Sequence, residues 1–161
     1  MMRVSVFLAL LFVAVACSVS SPVKTPVSEE DDVGISESAY LAEMISASDD
    51  AMLILVSVGD LVTDDSRAWD DSFFEDLAYN QSELSKMQVK VSLLEPPSVY
   101  SDSHSYFTQA LAKLAASLDL IELFTHGLGV HDPGNIEDLN LAVAYAKGAS
   151  AMLIKSIEAM P

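Results

Sequence analysis

The sequence predicts an all-α protein, an up-down-up-down antiparallel four-helix bundle behind a signal peptide and a flexible acidic tether. Three observations carry that prediction. Four segments of similar length repeat apolar residues at alternating three and four spacing, the period of one helix face. Short stretches bearing Asp, Pro or Gly separate them, so each helix folds back on its neighbour. A single cysteine excludes an intramolecular disulfide, so stability must come from a packed core rather than from a stapled, loop-rich scaffold.

The N-terminus reads as an export signal, Met1 to Ala16. Arg3 supplies the positive end, and Val4 to Ala16 is an uncharged run of 13 residues, apolar except for Ser5. That is the length of a signal core and short of the about 20 residues that span a bilayer. Ala14 and Ala16 place small side chains where a signal peptidase needs them, and Cys17 follows at once. Ala14-Val15-Ala16-Cys17 resembles the lipobox of prokaryotic lipoproteins, with Ala14 standing where leucine is commonest. The resemblance implies a diacylglyceryl group on Cys17 and a chain held to the outer face of the cell membrane by that lipid. An ordinary secretory signal cut near Cys17, giving a secreted protein, stays open, as does an uncut anchor.

Residues 17–35 follow as the lipidation cysteine and tether. Pro22 and Pro26 block helix, and Glu29 to Asp32 are consecutive acids. Residues 36–161 form the bundle domain, the one domain this length allows.

The first segment runs from about Ser36 to Val62. Its stripe is Leu41, Ile45, Ser48, Met52, Leu55, Gly59 and Val62, flanked by Tyr40, Met44, Ile54, Val58 and Leu61. Met52 to Val58 alone reads equally as a buried strand, but the stripe continuing on both sides favours helix. The second runs from about Ser66 to Leu94 with the stripe Trp69, Phe73, Leu77, Leu84, Met87, Val91 and Leu94. Asp65 or Ser66 caps it, or a capping box starts at Ser72; Pro96 and Pro97 end it. The third, from about Ser98 to His126, carries His104, Phe107, Leu111, Leu114, Leu118, Ile121, Thr125 and Leu128, with Gly127 as its terminator. The fourth, from about Asn135 to Met160, carries Ile136, Leu139, Val143, Ala146, Ser150, Leu153, Ile157 and Met160. Small residues such as Ala115, Ala116, Ala142, Ala144, Ala146 and Ala149 let the last two helices approach closely.

Charge excludes some functions. There are 24 acidic and 8 basic residues, a net of −16, and losing Arg3 with the signal takes the mature chain to −17. Scattered lysines and arginines on so acidic a chain speak against nucleic acid as a partner. An anionic membrane surface repels it too, so membrane attachment needs the lipid at Cys17.

Catalytic signatures are missing. No G-x-S-x-G, P-loop, G-x-G-x-x-G or C-x-x-C-H occurs, so neither an enzyme nor a cofactor is expected. Metal candidates are weak: Glu122 and His126 share a helix face at i, i+4, and His104 lies on the core stripe near Tyr100 and Tyr106. Each reads first as structural, the former as a surface pair and the latter as a hydrogen-bonded histidine near the helix start. Asp49-Asp50, Asp64-Asp65 and Asp70-Asp71 lack the spacing of a calcium loop. Asn80-Gln81-Ser82 is a glycosylation sequon set in mid-helix.

From Pro96-Pro97, through His104, Ala110-Leu111 and Asp132, to the Ala-rich run Ala142 to Leu153, the chain resembles small exported prokaryotic helical-bundle surface lipoproteins, of archaeal or Gram-positive type. The resemblance covers about 65 residues and implies a surface bundle without a particular activity. The leading expectation is therefore a non-enzymatic envelope protein that binds an envelope protein or serves a structural role. It carries an exposed apolar or aromatic patch and no deep polar pocket. The alternative is an extracellular ligand- or metal-binding bundle, a sensor or accessory protein. That reading needs a cavity lined by His104, Tyr100 and Tyr106 with an acid converging on it.

Overall fold

A computed structural model describes residues 35–63, 70–126 and 134–161, without the side chains of 126 and 134–136. The expected signal, Cys17 and the tether lie outside the described residues, as do Trp69, Gly127, Leu128 and His131. Four α-helices account for nearly all the rest: α1 Glu37–Thr63, α2 Asp71–Ser92, α3 Ser101–His126 and α4 Gly134–Glu158. A 3-10 turn, Ser98–Tyr100, leads into α3. There is no strand among the described residues, and Met52 to Val58 is helical. No described helix is long and apolar enough to cross a membrane.

The helices pack on one another, α3 against α4 most extensively, with α1 touching all three others. The described residues fall within one compact unit, Val33–Pro161. Phe107, Leu111, Leu114, Leu118 and Ile121 of α3 are at most 1% exposed and form the middle of the core. Phe73, Leu77, Leu84, Met87 and Val91 of α2 join them, so the stripes read for these two helices are the buried ones.

The stripes expected for α1 and α4 are displaced. In α1 the core face is Tyr40, Met44, Ala47, Ala51, Ile54, Val58 and Leu61. The expected stripe lies on the adjoining flank, where Ile45 is 49% and Met52 41% exposed. In α4 the buried positions are Ala142, Ala149, Leu153 and Ser156, while Ile157 is exposed. Both helices carry two neighbouring apolar flanks, and the inward one includes the small side chains Ala47 and Ala51 in α1 and Ala142 and Ala149 in α4.

The α3–α4 contact shows how. Ala110, Ala142 and Ala149 are fully buried. Ser103 Oγ donates to the carbonyl of Ser156 at 2.8 Å, and Ser156 Oγ donates to that of Ser103 at 2.9 Å. Ser117 Oγ donates to the carbonyl of Ala142 at 2.8 Å. Each hydroxyl is satisfied at a buried position that a larger side chain could not occupy without separating the helices.

The start of α2 also differs from both sequence readings. Asp70 is the N-cap: its Oδ1 accepts from the backbone N–H of Phe73 at 2.9 Å and from Ser72 Oγ at 2.7 Å. Ser72 therefore supports the cap from inside the helix. The sequon is structural as well. Asn80 is 3% exposed, and its Nδ2 donates to Ser57 Oγ at 2.7 Å and to the carbonyl of Asp76 at 2.8 Å. A glycan has no room on that amide in the folded chain.

Candidate functional site

Polar chemistry gathers at one end of the molecule, around His104. The first turn of α3 presents His104, the first turn of α1 presents Glu37 and Tyr40, and the 3-10 turn presents Tyr100. Tyr40 is fully buried because it opens the core face of α1. Its hydroxyl meets His104 Nδ1 at 2.9 Å. Its ring lies 5.3 Å from that of Tyr100 and 6.1 Å from the imidazole, both tilted. Tyr100 donates in turn to Glu37 Oε1 at 3.2 Å.

Electrostatics fix the protonation states. Burial pushes His104 below its ordinary value, so the ring is neutral at pH 7. A neutral ring with its proton on Nε2 accepts at Nδ1 from the Tyr40 hydroxyl, which gives the buried phenol its acceptor. Burial, and secondarily the neighbouring Tyr100, pushes Tyr40 up to about 12. Tyr100 is raised as well, first by burial and then by its hydrogen bond to Glu37. The three rings are neutral at pH 7, and the network ties the start of α1 to α3.

The arrangement differs from the expected His104, Tyr100 and Tyr106 grouping. His104 and Tyr100 do converge, and an acid, Glu37, joins them. Tyr106 is elsewhere, its ring under Lys155 Nζ at 5.7 Å. Tyr40 completes the cluster in its place. With Nδ1 engaged, His104 offers only Nε2 as a metal ligand, and no group of three potential ligands occurs among the described residues. Glu122 accepts from Gln81 Nε2 at 2.7 Å, which ties α3 to α2. The side chain of His126 is outside the description, so the Glu122–His126 pair is not assembled by what is seen.

Apolar surface is the second notable feature. The outer flank of α1 exposes Ile45, Met52 and Val56, each between 41% and 49%. The far side of α1 faces α2, through Ser57 to Asn80 and Glu43 to Lys90. The exposed flank is therefore turned away from α2. Ile154 and Ile157 of α4 are 50% and 51% exposed. They lie opposite the flank that meets α3 through Tyr145 and Lys155, whose rings and ammonium groups pair across that seam. Each of the two helices thus keeps a half-exposed apolar flank.

Comparison with protein-family models, curated proteins and solved structures gave no match.

Proposed function

We propose that this is an exported, non-enzymatic helical protein, held to the outer face of the cell membrane by a lipid on Cys17, that works by binding an envelope partner. Its described helices are read as an up-down-up-down antiparallel four-helix bundle. That topology is supported by Glu43 with Lys90 and Ser57 with Asn80 between α1 and α2. Ser103 with Ser156 and Ser117 with Ala142 support it between α3 and α4. In each pair one partner's number falls as the other's rises. The flank of Ile45, Met52, Val56, Ile154 and Ile157 carries the binding reading. These half-exposed apolar side chains of α1 and α4 are read together as an interaction surface.

The test is crosslinking on intact cells, comparing the parent with an Ile45→Ser/Ile154→Ser double variant. Both positions are half exposed, so the variant keeps the parent's circular dichroism and melting profile. The expected result is a discrete crosslinked species with the parent that the variant loses. No crosslinked species with the parent, or an undiminished one with the variant, overturns partner binding through this face.

A further inference from the structure

On the other side of α1 a groove of about 560 Å³ runs between α1 and α2. Its lining extends along α1 from Ala47 to Asp60, about 20 Å at a rise of about 1.5 Å per residue. The floor is apolar, built from Ala47, Ile54 and Met87. The polar groups at its base are engaged, Asn80 with Ser57. Leu53 and Tyr79 stand on the two lips at 69% and 65% exposed. Around them lie the carboxylates Asp50, Asp60, Asp76 and Glu83.

Two lysines also line the groove, and both are already paired. Lys86 binds Glu83 at 2.6 Å and Lys90 binds Glu43. The groove lining is therefore net negative, four carboxylates against two lysines. We propose that this groove binds a basic amphipathic helix of a partner protein. Its apolar side chains would sit between Leu53 and Tyr79, and its lysines or arginines would meet the carboxylates.

Shape and charge select this occupant. A cleft open along two helices over about 20 Å matches a helix of about 13 residues, with anchors at i, i+3 and i+4. A second copy of this chain is strongly acidic and is repelled. So is an anionic lipid surface. A small organic cation satisfies the acids and leaves the apolar lips uncovered. This site is separate from the Ile45 flank.

The experiment titrates the full chain with a fluorescein-labelled 14-residue peptide carrying leucines on one helical face and lysines elsewhere, read by anisotropy. The controls are a scrambled peptide of the same composition, spermine, and the variants Leu53→Ser, Asp60→Asn and Ile45→Ser. All three replaced side chains are exposed, and unchanged circular dichroism checks that the fold survives. Saturable binding is expected, weakened about tenfold by Leu53→Ser, the scale of losing one buried leucine contact. Asp60→Asn weakens it by a smaller factor, and Ile45→Ser leaves it unchanged. A scrambled peptide that binds equally well shows attraction to net charge alone and overturns the proposal. Undiminished binding by Leu53→Ser overturns it too, as does full displacement of the peptide by spermine at charge-equivalent concentration. Loss of the cellular crosslink with retention of peptide binding in Ile45→Ser separates a failure at one face from a failure at the other.

Discussion

Tyr40 and His104 join two helices through one hydrogen bond whose worth depends on pH. Burial lowers the His104 pKa in the fold, whereas in the unfolded chain it titrates near its ordinary value of about 6.5. The neutral ring therefore contributes its stability fully above about pH 6.5, and that contribution is lost as the pH falls through the lower folded value. The urea midpoint of the parent is expected to drop more between pH 7 and pH 5 than that of His104→Gln, and parallel profiles would contradict the assignment. Asn80 makes a second residue-scale test. Asn80→Ala removes its bond to Ser57 and leaves that hydroxyl short of a partner, a cost of about 1–3 kcal/mol in urea unfolding. A change under about 0.5 kcal/mol would show the bridge to be incidental. His104 was legible in the sequence because it sits in register with Phe107 and Leu111. Tyr40 and Glu37 were not, because the contacts that draw them in span 64 and 63 residues of chain. No local pattern reports such a distance.

Helix existence was legible for all four helices, and helix orientation for two. In α2 and α3 the large apolar side chains at three-four spacing are the buried ones, so periodicity identifies the buried side. In α1 and α4 two flanks are apolar. There Ala47, Ala51, Ala142 and Ala149 weigh little in a hydropathy pattern, although they occupy the tightest contacts. The larger Ile45, Met52 and Ile157 draw attention to the flank that is left half open. The α2 cap was missed for a similar reason: Asp70 lies beside two other capping candidates, and only the Phe73 N–H distinguishes it. One element-scale prediction concerns Gly59, in the interior of α1. A Cβ there meets nothing within 4 Å. Gly59→Ala is expected to stabilise the protein by about 0.5–1 kcal/mol by reducing the freedom of the unfolded chain. Destabilisation in thermal or urea unfolding would mean that this part of α1 is not a regular helix.

At the scale of the whole molecule, the chain joins an acidic surface to a core that needs no disulfide. Among the described residues no buried side-chain nitrogen or oxygen lacks a partner. The proposed attachment at Cys17 would present this domain outside the cell. The acidity fits such a role, since it keeps the domain off an anionic membrane to which its own lipid tethers it. The sequence was most informative for this part of the reading, through Arg3, the apolar run and the small residues before Cys17. It was silent on which faces of α1 stay open, because that depends on how the other helices pack. Intact mass of the protein extracted from its native membrane tests the central claim most directly. The expected mass is that of residues 17–161 plus a diacylglyceryl group on Cys17, released into detergent and not into buffer. A chain that retains Met1 to Ala16, or one cut and unlipidated in the soluble fraction, would contradict it.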